Sequence, residues 1–424
     1  MTSNPRHTLL FRGLAVTAAV AIGASLAAAP ALATVGSPAV ERPGASPSAT
    51  EIQRGTLVSA VQIRHLARAQ VTAELTAAGY DPALVKYGVT LYRLVYRTVD
   101  ERGRATTASG LLVLPRTPAR QARHALTTVS YGHGTQVFRG GAPSVTDDTW
   151  ETAPPITYAS AGFAAVAPDY LGLGLGPGIH PWMHVPSEVT ASVDMLRAAR
   201  TFTARSGRVL GPDVVTTGFS QGASVTLGTA RALQDGRVPG FRLTAIAPVS
   251  GAYDFRGSEI PALLSGQLHP MWSVAYVSYL FVTWNQLHGL YDSPGEVFQA
   301  PYDRTIPELF NGEHPGEEVA AGLPESVDRL LTDRGLQMLR HPSGPLAAAL
   351  RVADSTCTGW TPRVPIRLYA TTTDEQATYQ NTLACQSAFG EKGLRVPIID
   401  VGDTDHSDSN VRATAEIVRW LSTR

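Results

Sequence analysis

The pentapeptide Gly218-Phe219-Ser220-Gln221-Gly222 sets a serine between two glycines, directly after the apolar run VVTT and at the start of a helix-like segment. A serine hydroxyl is a poor nucleophile at neutral pH, so it needs a base to take its proton. It also needs a tight strand-to-helix turn that exposes the oxygen, where only glycine tolerates the close neighbouring backbone. Two later segments offer partners. Asp374 stands in YATTTDEQATYQN, after the strand-like VPIRLY, and His406 stands in VGDTDHSDSN, between the last strand-like run and the last helix-like one. A serine, an acid and a histidine in that order can carry out acyl transfer. The histidine takes the hydroxyl proton as the serine attacks a carbonyl and returns it to the departing group, while the acid fixes the imidazole tautomer and stabilises the imidazolium. The oxyanion that develops needs preorganised donors worth roughly 3 kcal/mol each, and the backbone N–H of Gln221 is the expected first one.

These side chains have to be held by a scaffold, and the hydrophobic pattern says which. Ile63, Ala67, Val71 and Leu75 recur at four-residue spacing with Leu66 beside them, predicting an amphipathic helix over 58–78. From Tyr87 the period changes: VTLYRLVYRTV and ASGLLVLP, separated by DERGRATT, predict a β-hairpin. Strand-like runs then alternate with helical ones: 126–131, 163–170, a helix at 187–204, 214–219, a helix at 221–235, and 243–250. Short apolar strands alternating with helices are the pattern of a mostly parallel sheet covered on both faces. The alternation resumes at 364–371 and 396–402, and a last helix is expected at about 410–422. The block 253–355 between the two halves lacks it and reads as a helical insertion. Within that block Trp272, Tyr276, Leu280 and Trp284 share a helix face, with Val277 and Phe281 beside them. The face suits the interior of a cap, and Trp272, Tyr276 and Trp284 are the candidates for contact with substrate. The apolar stretch Met271–Trp284 is too short to span a bilayer.

In combination these stretches resemble the α/β-hydrolase superfamily, in particular secreted bacterial lipases and esterases and the secretory lipase family. The hairpin, SYGHGT, APDYLGLG, GFSQGA, PIRLYATTTDEQ and DTDHSDS carry the resemblance, which covers about Gly55 to Arg424. It implies an α/β fold with a mostly parallel central sheet flanked by helices and a helical cap or lid. The implied domains are a core at 51–252 with the nucleophile, the insertion at 253–355, and a second core part at 356–424 with the acid and histidine. It implies Ser220, Asp374 and His406 as a triad in a lipase or esterase that works through an acyl-enzyme and needs no cofactor or metal. Tyr131-Gly132-His133-Gly134-Thr135 matches the superfamily's oxyanion loop, so Thr135 would supply the second N–H, with its hydroxyl as a third donor. The HGxxD that often carries the acid is replaced here by Ala370-Thr371-Thr372-Thr373-Asp374.

Other readings compete. Ser220 could be an ordinary helix N-cap, though a cap needs no flanking glycines. Glu375 or Asp254 could take the place of Asp374. His133 is read as a structural member of its loop rather than a base. The acids around His406 suggest a calcium loop, but the EF-hand positions that require glycine and an acid hold Asp408 and Thr414. The glycines at 172, 174 and 176 lack the Gly-Lys-Ser/Thr of a phosphate loop, and no HExxH for zinc is present. A secreted peptidase of the same fold, or a binding protein on an inactive hydrolase fold, are the alternatives to an esterase.

Composition bounds the partners. The 424 residues carry 35 Lys+Arg against 35 Asp+Glu, which leaves no basic footprint for nucleic acid. Lys86 and Lys392 are the only lysines and neither lies three residues after a serine, which excludes a Ser-x-x-Lys nucleophile pair. Arg6 and Arg12 precede an Ala/Val/Leu stretch and Ala31-Leu32-Ala33, predicting a signal peptide at 1–33, a linker at 34–50 and secretion. The mature chain would then carry no transmembrane segment, and its partner would be a small-molecule or lipid ester, met in solution or at a lipid interface. In an oxidising compartment Cys357 and Cys385 predict a disulfide rather than a metal site.

Overall fold

The computed structural model describes residues 54–118 and 124–424; the expected signal peptide and linker lie outside them. Nine strands form one sheet in the order β1-β2-β3-β5-β4-β6-β7-β8-β9. They are β1 (Leu57–Leu66), β2 (Val89–Val99), β3 (Ala105–Pro115), β4 (Leu126–Gly132), β5 (Ala164–Pro168), β6 (Leu210–Phe219), β7 (Arg242–Val249), β8 (Leu368–Ala370) and β9 (Ile398–Asp400). The hairpin β2/β3 pairs antiparallel from Val89↔Pro115 to Val99↔Ala105, and β3 pairs antiparallel with β5. From β5 through β4, β6, β7 and β8 to β9 all pairs are parallel. Parallel neighbours require crossovers, and the helices that supply them cover both faces.

One face is covered by α3 (Val185–Arg205), α4 (Gln221–Gln234) and α12 (Tyr379–Gly390); Leu196, Leu227, Ile246 and Phe389 pack together there. The other is covered by α1 (Arg68–Ala77), α2 (Thr149–Ala161) and α13 (His406–Ser422), with Val71, Ile156, Val215 and Ile417 in one cluster. Residues between β7 and β8 hold α5 (Ile260–Leu264), α6 (Pro270–His288), α7 (Tyr302–Leu309), α8 (Gly316–Ala321), α9 (Val327–Leu330), α10 (Asp333–Arg340) and α11 (Gly344–Ala353). They build an apolar cluster of their own around Val274, Phe281, Phe298 and Phe310. Among the described residues no helix is long and apolar enough to cross a membrane.

Two elements differ from the sequence expectation. The helix expected over 58–78 begins only at Arg68; the preceding residues form β1, antiparallel to β2 and at the edge of the sheet. Ile63, Leu66, Val71 and Leu75 do reach one common core, Ile63 and Leu66 from the strand and Val71 and Leu75 from the helix. A shared destination had imitated a single helical face. The second difference is α2, for which the alternation gave no sign. Pro154 and Pro155 lie inside it and remove two backbone donors, but its N-cap Asp148 accepts from Trp150 N–H and nearly every residue of the helix is buried.

Candidate active site

At the C-terminal end of β6 the backbone turns sharply into α4. Ser220 sits at the corner with φ 55° and ψ −120°, a conformation that costs a non-glycine residue energy and persists only where its surroundings impose it. They do so by close packing. A Cβ on Gly222 would stand 2.1 Å from the Gly132 carbonyl oxygen, and one on Gly218 would stand 2.4 Å from that of Gly222. The Ser220 N–H donates to Val249 O at 2.9 Å and ties the corner to β7.

Asp374 follows β8. Its Oδ1 accepts the backbone N–H groups of Gln376 and Ala377 at 3.0 and 2.8 Å, leaving Oδ2 for His406 Nδ1 at 2.8 Å. A ring that donates from Nδ1 presents a bare Nε2, which lies 2.9 Å from Ser220 Oγ. His406 is the first residue of α13 and 2% exposed. Burial alone would push its pKa down, but the charge and hydrogen bond of Asp374, then the charge of Glu375, outweigh it and hold the imidazole above its ordinary value. Of the competing acids, Glu375 accepts the backbone N–H of His406, and Asp254 caps the turn at Gly257. Asp374 alone meets the imidazole.

Thr135 lies beside Ser220, where its Oγ1 accepts from Trp182 Nε1 at 3.0 Å and keeps its own proton to donate. His133 faces inward instead. It is fully buried against Tyr170, with Nδ1 2.7 Å from Gly134 O, and burial pushes it down to about 4, leaving it neutral. Cys357 and Cys385 form a disulfide that brackets the Asp374 segment. Among the described residues, no group of three or more His, Cys, Asp or Glu is arranged to hold a metal ion.

Two chambers meet at Ser220. The first is walled by Phe255, Ile260, Leu263, Val277, Leu280 and Leu339, and its exposed lining is almost wholly apolar. The second is bounded by His406, Gln136, Trp150, Glu151, Trp272 and Val319. Tyr276 borders both, so of the three aromatic residues expected to touch substrate, Trp272 and Tyr276 do line space next to the serine. Trp284 does not. It is 2% exposed, donates its Nε1 to Trp182 O at 2.9 Å and packs on Phe255, behind the wall of the first chamber.

Sequence reasoning missed three buried carboxyls. Glu259 lines the first chamber, is pushed up to about 8 by burial, and accepts from Asn381 Nδ2 and Thr378 N–H through Oε2. Glu151 lines the second, is likewise raised by burial, and accepts from Gln136 Nε2 at 2.6 Å. Glu188, in the first turn of α3, is fully buried beside Gln221. No motif marked them, because none stands at a spacing that pairs it with a nucleophile, a base or a metal ligand.

No family model and no curated protein matches the chain. Solved structures do. A putative hydrolase from Legionella pneumophila superposes with a TM-score of 0.79 at 25% identity, over 87% of this chain and 97% of that one. The α/β-hydrolase fold is shown. The rice cell wall degrading esterase LipA from Xanthomonas oryzae is similar to this chain at 25% identity, with a TM-score of 0.72 over 87% of this chain and 96% of its own. Candida antarctica lipase A shares the fold at 16% identity, with a TM-score of 0.61 over 83% of this chain and 78% of its own.

Proposed function

We propose that this α/β-hydrolase is a secreted serine carboxylic-ester hydrolase of the lipase or esterase kind. The observation that carries the reading is the relay Asp374 Oδ2, His406 Nδ1, His406 Nε2, Ser220 Oγ, with both links under 3 Å. His406 takes the Ser220 proton as Oγ attacks the ester carbonyl, the Gln221 and Thr135 N–H groups stabilise the oxyanion, and His406 then protonates the departing alkoxide. Water releases the acyl group from Ser220 by the same steps in reverse roles.

The two chambers divide the ester. Because His406 delivers a proton to the leaving oxygen, the alcohol part belongs in the second chamber, which His406 borders, and the acyl chain in the first. The helices at 253–355 act as the cap that shapes both. The similar esterase supports the reaction class, and the disulfide suits an oxidising, extracellular setting. The test is a series of p-nitrophenyl esters from acetyl to stearoyl with a peptide p-nitroanilide control, run beside S220A. Ester cleavage lost in S220A and little or no cleavage of the anilide is the expected result. Equal rates for S220A and the parent would overturn the mechanism.

A further inference from the structure

Behind the nucleophile, three side chains from three elements close on one another. Gln221, the residue after the serine, extends its amide nitrogen to Glu188 Oε1 at 2.6 Å and to His180 Nε2 at 2.8 Å. His180 Nδ1 lies 3.0 Å from the carbonyl oxygen of Leu171, so its single proton is on Nδ1 and its Nε2 can only accept. This orients the amide: Gln221 gives one N–H to His180 and the other to Glu188. All three residues are 2% exposed or less. Two atoms are then left over. Gln221 Oε1 and Glu188 Oε2 are both buried, and neither has a hydrogen-bond partner. Two acceptors without a donor, on groups already joined by one bond, would both be satisfied by a single proton shared between them.

We propose that Glu188 is held as the neutral acid and pairs with Gln221 through two hydrogen bonds, N–H to Oε1 and O–H from Oε2 to the amide oxygen, so that Glu188 is a positioning residue for the oxyanion-binding corner. The proposal rests on the reading of Gln221 as an oxyanion donor. Its surroundings favour the neutral form. Burial pushes Glu188 up to about 8, while the Gln221 amide and the Met183 N–H nearby pull the other way. The titratable groups that face it are His180 from the loop before α3, Tyr170 from the loop after β5 and Tyr279 from α6. Burial holds His180 near 3 and raises both tyrosines, so all three are uncharged at neutral pH and none pairs with a carboxylate as a cation would. Ionisation of Glu188 would break the O–H bond and set a negative charge beside the corner that must receive another.

The experiment is the pH dependence of kcat between pH 6 and pH 10 for the parent, E188Q, E188L and E259Q. Parent kcat falls on an alkaline limb near pH 8. E188Q keeps both bonds without titrating: it retains at least a third of parent kcat at pH 7 and loses the limb, whereas E188L loses tenfold or more in kcat with KM within threefold. E259Q removes the other carboxyl raised to about 8 and keeps the limb. A flat parent profile, a limb that survives in E188Q, or a limb that disappears only in E259Q overturns the proposal. A readout that does not need E188Q to fold is the carbon-13 titration of protein labelled at glutamate carboxyls. The resonance absent from E188D titrates near pH 8, and titration below pH 6 overturns the assignment. Loss of activity in S220A tests the hydrolase reading separately, so the two can fail independently.

Discussion

Two adjacent carboxylates hold two ends of one histidine: Asp374 Oδ2 accepts from the ring of His406 at 2.8 Å, and Glu375 Oε2 accepts from its backbone N–H at 2.9 Å. The roles differ. Only the ring bond fixes the tautomer that leaves Nε2 free for Ser220. D374N is expected to lower kcat by about 10⁴ with little change in KM, as loss of the tautomer does elsewhere. E375A removes one backbone acceptor and is expected to cost about tenfold, near 1.4 kcal/mol. Steady-state kinetics on one ester would separate the two, and equal losses would mean that the ring's partner has been misassigned.

The pH profile follows from the same site. His406 works as a base only when neutral, and its pKa is raised, so activity is lost as pH falls through a value above the ordinary 6.5. Glu375 is one of the charges that raise it. In E375Q, whose side-chain oxygen can still accept the His406 N–H, the acid limb of kcat/KM therefore moves to lower pH. A parent limb centred below 6.5, or an E375Q limb moved upward, contradicts this account.

On the proposed division of the ester, acyl length is set by the first chamber. Leu280→Trp would fill space beside Val277 and Leu339, and it is expected to lower kcat/KM for octanoyl and longer esters at least tenfold more than for acetyl esters. Trp284→Ala opens a void behind the wall and is expected to cost about 3–5 kcal/mol of stability while leaving the order of preference among chain lengths as it was. The ester series read beside a denaturant midpoint checks both, and a preference redirected by W284A would return that residue to the substrate surface.

The disulfide closes a loop with a sequence separation of 28 that contains Asp374. Replacing both cysteines by alanine is expected to lower stability by about 3–4 kcal/mol through the entropy of the unfolded chain. Urea unfolding of C357A/C385A measures it, and an unchanged midpoint would show that the bridge constrains nothing the core does not already hold.

Much of this was legible before any coordinates. The parallel sheet announced itself because strands buried on both faces must be continuously apolar, and Ser220, Asp374 and His406 stood out because strand ends are where such side chains can converge. Three things were not. β1 was hidden because an edge strand and the helix after it send Ile63, Leu66, Val71 and Leu75 into one core at helix-like spacing. α2 was hidden by Pro154 and Pro155, which argue against a helix that tertiary burial nevertheless holds. Glu151, Glu188 and Glu259 were hidden because a buried acid differs from a surface acid only in its three-dimensional surroundings, which local pattern does not record.

His406, the general base of the proposed mechanism, opens α13, and Ser220 lies 186 positions before it. A growing or partly folded polypeptide of this sequence thus carries an unarmed hydroxyl. Until α13 docks against α2 and the sheet, His406 does not stand beside Ser220 to withdraw its proton. The order of the residues along the chain works as a safety catch, released by the completion of folding itself.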